Sequence, residues 1–240
     1  MTHYTVTVNR GIAQLSDSLP VVLVFFFLYL KSSFPKLHDL LLDENGIVEW
    51  LQVVALVSAG LLAIVATSRK LTSVMAGTSL AAFMFLCALE ELDWLQQVLN
   101  FRTPDFLSKI NKQNAVNLHN VSWMHQLSRL VMVVIAIWGL IAPYLARLRY
   151  ENLRFPLVAS KRDQWYLVFV IAFFALRFSI GSSASMVRAS DPFIPGFVTW
   201  DQQEVVELFL YTVFLRQSLR FQSRTIGVAL HKTDLCQQKG

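Results

Sequence analysis

The amino-acid sequence predicts an all-α fold: an integral membrane bundle of about six transmembrane helices, with N- and C-termini cytoplasmic. Three observations lead there. Of the 240 residues, 55% are hydrophobic and only 15% charged, with a mean hydropathy of +0.48, whereas soluble domains carry about 25% charged residues. The apolar residues gather into runs near the length a helix needs to cross hydrocarbon, about 20 residues. Stretches such as "LTSVMAGTSLAAFMFLCAL", Leu71 to Leu89, contain no charge, which argues against a soluble bundle, whose helices show a polar face to water.

The elements follow in chain order. A polar N-terminus leads into span one, 19–34, where Pro20 falls in the tolerated first turn and Lys31 can snorkel. The residues after this run, "KSSFPKLHD", offer no small-residue cleavage site, so it reads as a retained span and not a signal peptide. The segment "SSFPKLHDLLLDENG" has leucines spaced for a helix lying at the membrane interface, and His38 within it reads as an ordinary surface residue. Spans two and three are 47–67 and 71–92, joined by a short turn with Arg69 and Lys70. Residues 101–120 form a long loop. It opens on Thr103-Pro104-Asp105, a helix start with Thr103 as the cap, and continues through a dense run of amides, Asn111, Gln113, Asn114, Asn117 and Asn120. Phe106, Leu107 and Ile110 are placed to dip into lipid. Span four is 121–145, with His125 and Arg129 in its first part. Span five is 165–185 and carries Arg177. Span six is 197–219, with Asp201, Glu204 and Glu207 in its first half.

Lys and Arg set the orientation. One side holds Arg69, Lys70, Arg147, Arg149, Arg154, Lys161, Arg162 and the basic C-terminal end from Arg216 to Lys239. The opposite side is poorer in them and holds both long loops. The chain is therefore read as one transmembrane domain, with the 101–120 loop on the noncytoplasmic side. The net charge of +5 fits basic loops against an anionic leaflet, and no basic groove interleaved with aromatics points to nucleic acid. The partners this composition implies are membrane lipids. The two cysteines, Cys87 and Cys236, lie too far apart to form a disulfide framework or a metal motif.

Topology brings a set of ionisable residues to one level near the noncytoplasmic face. Glu49 opens span two. Glu90, Glu91 and Asp93 close span three. His119 and His125 flank the entry to span four, and Arg129 lies one turn deeper. Arg177, Asp201, Glu204 and Glu207 complete the group. Ionisable side chains in a membrane are costly, and so are expected to face the bundle interior or a water-filled cavity. Glu90, Asp93, Trp94 and Gln97 fall on one helical stripe at i, i+3, i+4 and i+7, and Asp201, Glu204 and Glu207 are spaced by three on another. Gathered carboxylates repel and need cations: a metal, the arginines, a protonated histidine or protons. Two readings stand side by side. Structural ion pairing with Arg129 or Arg177 accounts for Glu49, Glu90, Glu91, Glu204 and Glu207 as well as a functional site does. Asp93 and Asp201 read as solvated interface residues. The tryptophans near span ends read as an aromatic belt. No HExxH, CxxC or GxxxxGK[ST] motif is present, and the Glu-x-x-His pair of four-helix di-metal sites is matched only in part.

The segment Glu90 to Asn120 resembles a pattern in uncharacterised bacterial multi-pass membrane proteins, E-E-x-x-W-x-Q, then T-P, then N-x-Q, then N-L-H-N. Here it reads Glu90, Glu91, Trp94, Gln96 or Gln97, Thr103, Pro104, Asn111, Gln113, Asn117, Leu118, His119 and Asn120. The resemblance implies a site without naming a reaction, and a cell membrane location, the bacterial inner membrane. It favours Glu90, Glu91 and His119 over Asp93 and His125. The expected site is then a polar pocket with Glu90, Glu91 and His119 as acid, base or catalytic groups. Glu49, Glu90, Glu204, Glu207 and His119 are its candidate ligands for a divalent metal, and Asn111, Gln113, Asn117, Arg129 and Arg177 would contact substrate. The leading expectation is a metal-assisted enzyme on a lipid or lipid-linked substrate. A proton- or cation-coupled transporter and a noncatalytic subunit or scaffold are the alternatives.

Overall fold

The computed structural model describes residues 2–42, 46–68, 74–111, 115–119, 121–149, 159–180 and 203–220, and among these every regular element is a helix. They are α1 (Thr2–Ser33), α2 (Pro35–Leu42), α3 (Ile47–Ser68), α4 (Val74–Glu91), α5 (Gln96–Leu99), α6 (Asp105–Ser108), α7 (Ser122–Arg149), α8 (Gln164–Ile180) and α9, residues 203–220. Proline punctuates two of them. Phe34, which precedes Pro35, is biased away from helical geometry and separates α1 from α2. Pro104 stands at the cap position of α6, where Thr103 was the expected cap.

Three helical stretches are long and apolar enough to cross a membrane, within Pro35–Ser68, Val74–Glu91 and Trp123–Leu145. They overlap the predicted spans two, three and four in residue range. Shorter apolar stretches, Ser18–Ser33 and Gln164–Ser179, fall on predicted spans one and five. The stretch before the first of these is helical, because α1 begins at Thr2. Residues 181–202 lie outside the described residues. They include the end of predicted span five, the start of span six, and Asp201.

Among the described residues, α9 is the centre of the bundle. Of its residues, Val205, Val206, Phe209, Leu210, Tyr211, Val213 and Phe214 are all buried, as expected of a core helix. Phe83 of α4 meets Phe214 edge to face, and Tyr166 and Phe169 of α8 both meet Phe209. Around this axis α3 packs along α4, and α7 along α8. Gly60 brings α3 so close to α4 that an added Cβ would meet the Phe85 ring at 3.0 Å. The exterior is apolar too. Phe25, Leu61, Met75, Leu86, Val134, Trp138 and Phe178 are exposed, and only 28% of the apolar windows of α4 and α7 is buried. Soluble proteins rarely show contiguous apolar surface on this scale, but it suits contact with hydrocarbon.

Three sequence expectations need correction. Predicted span three ran to residue 92, but α4 stops at Glu91. Asp93, Trp94 and Leu95 then take left-handed backbone geometry, with φ of 48°, 53° and 69°. The stripe joining Glu90 to Asp93, Trp94 and Gln97 is therefore broken. Asp93 is buried, not solvated. His38 is fully buried on α2 beside Leu42, because α2 packs on both α1 and α3.

Candidate functional site

Two elements supply the carboxylates. Glu204 and Glu207 are one turn apart on α9 and so project from one face. Glu91 is the last residue of α4 and turns toward α9. One carboxylate oxygen from each of Glu91, Glu204 and Glu207 lies within 4.8 Å of the others. Glu91 and Glu207 are buried, while Glu204 is half-buried. Two like charges at this separation repel by about 3 kcal/mol at an effective dielectric of 20, so neighbouring groups must hold the cluster together.

Each glutamate has a neutral partner that fixes it. The Tyr211 hydroxyl, one turn further along α9, donates to Glu91 Oε1 at 2.8 Å. Gln203 Nε2 donates to Glu207 Oε1 at 2.7 Å. Gln52 Nε2, on α3, donates to the Glu204 backbone carbonyl at 2.8 Å and to Glu204 Oε2 at 3.1 Å. A positive charge enters through the second of these links, because Arg129 Nε donates to Gln203 Oε1 at 3.1 Å. Arg129 also bonds His125 Nε2, and His125 Nδ1 meets the His119 backbone carbonyl at 3.2 Å. A carbonyl can only accept and a guanidinium can only donate. His125 is therefore neutral, with its proton on Nδ1. A buried hydrogen-bonded chain thus runs from the loop at His119, through His125, Arg129 and Gln203, to Glu207.

The loop is stapled to the C-terminal end of α4 by residues three apart. Glu90 Oε2 accepts the backbone amides of Leu118 at 2.7 Å and His119 at 3.0 Å, and His119 Nδ1 stands 3.4 Å from the same oxygen. Glu90 Oε1 accepts from Trp94 Nε1 at 2.6 Å. Asp93 Oδ1 accepts from Asn117 Nδ2. Gln96 Oε1 accepts from the Val116 amide at 2.8 Å, while Gln96 Nε2 donates to Thr103 Oγ1 at 2.9 Å and Phe101 O at 3.0 Å. Asn111 Nδ2 donates to both Asn117 O and Asn117 Oδ1. The described residues of the E-E-x-x-W-x-Q to N-L-H-N pattern therefore bond mainly to one another, and Gln96 reaches the loop. Left-handed geometry costs about 1–2 kcal/mol per non-glycine residue. These bonds are what hold Asp93, Trp94 and Leu95 in it.

His119 is one-quarter exposed. Burial alone would lower its pKa, but the hydrogen bond and charge of Glu90, with Glu207 and Asp93 nearby, outweigh burial and raise it above the ordinary histidine value.

The predicted site residues divide accordingly. Glu91, Glu204 and Glu207 converge. Glu90, His119, Asn111 and Asn117 build the cover over the end of α4, and Arg129 reaches Glu207 through Gln203. Glu49 is half-buried at the start of α3. Arg177, also half-buried, lies over the Phe173 ring at 5.9 Å. Gln113 lies outside the described residues, as do Asn114 and Asn120. Sequence reasoning did not single out Gln52, Gln203 and Tyr211. A signal was present for the last two: Gln203, Glu207 and Tyr211 recur every four residues along an apolar run. Compared with family models, curated proteins and solved structures, the chain gives no match.

Proposed function

We propose that this chain is a multi-pass membrane protein of about six spans, with both termini cytoplasmic. On this reading it holds a divalent cation between Glu91, Glu204 and Glu207 and acts as a metal-assisted enzyme on a lipid or lipid-linked substrate. One observation carries the reading: three carboxylate oxygens from α4 and α9 meet within 4.8 Å inside an apolar bundle. Such a group is costly in hydrocarbon unless a cation neutralises it. A divalent cation held there would lower the pKa of bound water and polarise a phosphoryl or acyl oxygen.

The chain's own residues do the rest. Arg129, through Gln203, steadies Glu207 and offsets part of the negative charge. Tyr211 and Gln52 orient Glu91 and Glu204. The loop around 115–119, pinned by Glu90, Asp93 and Gln96, shields the buried end of α4 and limits water. The exposed apolar faces of α1, α4 and α7 keep the site beside lipid, where an acyl or isoprenoid chain would lie.

The test is purified full-length chain in nanodiscs, incubated with a total bacterial lipid extract with and without chelator. Metal-dependent conversion of a lipid species, abolished in Glu207→Gln, supports the reading. Cation-dependent uptake into liposomes with no lipid converted contradicts it and assigns the carboxylates to transport.

A further inference from the structure

We infer that the cation is a hard, oxygen-seeking one of the magnesium, manganese and calcium group, and that Gln52 Oε1 is its neutral fourth donor. The inference rests on the reading above, that the carboxylate cluster binds a divalent cation.

The donor set is the first ground. The converging atoms are three carboxylate oxygens, with no histidine nitrogen or cysteine sulfur among them in the described residues. His119 meets Glu90 instead. Cys87, one turn before Glu91 on α4, stands outside the set. Oxygen-only sites select hard cations, whereas zinc sites favour nitrogen and sulfur.

Gln52 is the second and independent ground. Its side chain is fully buried, and among the described residues its Oε1 has no hydrogen-bond partner. The amide cannot be turned around. Its nitrogen meets the Glu204 backbone carbonyl, which accepts only, so the oxygen is the atom left over. It is bonded to the same carbon as the nitrogen that meets Glu204 Oε2, at the edge of the cluster. A buried acceptor without a donor is destabilising. A cation shared with the three carboxylates satisfies it.

Charge agrees with this. A divalent ion offsets two of the three carboxylates. The Arg129 guanidinium, one link away through Gln203, offsets the third. The amide at position 52 adds an oxygen to this balanced set and steadies Glu204 with its other end.

Manganese is the probe, because its electron paramagnetic resonance spectrum reports binding directly. Full-length chain in nanodiscs is titrated with Mn2+ as wild type, Gln52→Leu, Gln52→Glu and His119→Ala. The inference predicts that Gln52→Leu weakens binding by ~10–100-fold, the scale on which loss of a supporting group acts. It predicts that Gln52→Glu restores binding, since an oxygen returns to the same place, and that His119→Ala leaves binding unchanged. If Gln52→Glu loses as much as Gln52→Leu, only the amide donor matters and the inference fails. It also fails if Gln52→Leu binds like wild type, or if binding needs His119. In each of those cases the carboxylate site survives. If the wild type binds no Mn2+, Mg2+, Ca2+ or Zn2+, the underlying reading itself falls.

Discussion

The Tyr211 hydroxyl donates to Glu91 Oε1 at 2.8 Å, tying the central helix to the last residue of α4. Both groups are buried, so this bond lies where removal cannot be repaired by water. Removing one partner of a buried hydrogen bond leaves the other unsatisfied and costs about 1–3 kcal/mol. Tyr211→Phe is expected to lower stability by about that much, read as the midpoint of denaturant or thermal unfolding in detergent. A variant as stable as wild type would show that Glu91 is held by something else.

Glu90 has a different task from its neighbour. It gathers the Leu118 and His119 amides, so Glu90→Ala is expected to release the loop while leaving the helices formed. Hydrogen exchange should show lost protection at 116–119 with α9 unchanged, and a global cost of about 2 kcal/mol. Equal loss across α9 would mean that Glu90 supports the core and not the cover.

The His119–Glu90 pair makes the cover sensitive to pH. The folded chain raises the pKa of His119, so the protonated form is the one that folding favours. The stabilisation is fully present below the unfolded value, about 6.5, and is lost as pH rises through the raised folded value. Protection of the loop amides should therefore fall from mildly acidic toward alkaline pH, and His119→Gln should flatten the profile. Protection that rises over the same range in wild type would contradict the pairing.

The left-handed turn gives a prediction of rank order. Leu95, with φ of 69°, is substantially exposed, so its side chain contributes little burial. Glycine tolerates this geometry and a β-branched residue does not. Leu95→Gly is expected to match or exceed wild-type stability, and Leu95→Val to fall below it by about 1–2 kcal/mol. The reverse order would remove the claim of strain.

Much of this architecture is legible in the residues themselves. The uncharged run before Glu90 marks α4, and the spacing of Glu204 and Glu207 places both on one face of α9. The loop pattern from Glu90 to His119 was visible as a pattern, though its meaning was not. Glu90 and Glu91 show why. Adjacent helical residues point about 100° apart, so one faces α9 and the other the loop, and nothing in two identical side chains says which. The turn at Asp93, Trp94 and Leu95 is set by bonds from Asn117 to Asp93 and from Val116 to Gln96, twenty or more residues apart, and local propensity cannot anticipate it. Gln52 is a neutral residue in an apolar helix and carries no charge signal. Only the meeting of α3 and α9 reveals it.

The most direct test is the divalent metal content of the full-length chain, by mass spectrometry after equilibration with Mg2+ or Mn2+ and removal of free ion. The account predicts one tightly held ion per chain in wild type. Glu91→Gln, Glu204→Gln and Glu207→Gln should each lose it, and Glu49→Gln and His119→Ala should keep it. A wild type that retains no ion, or the three variants retaining it undiminished, would contradict the account.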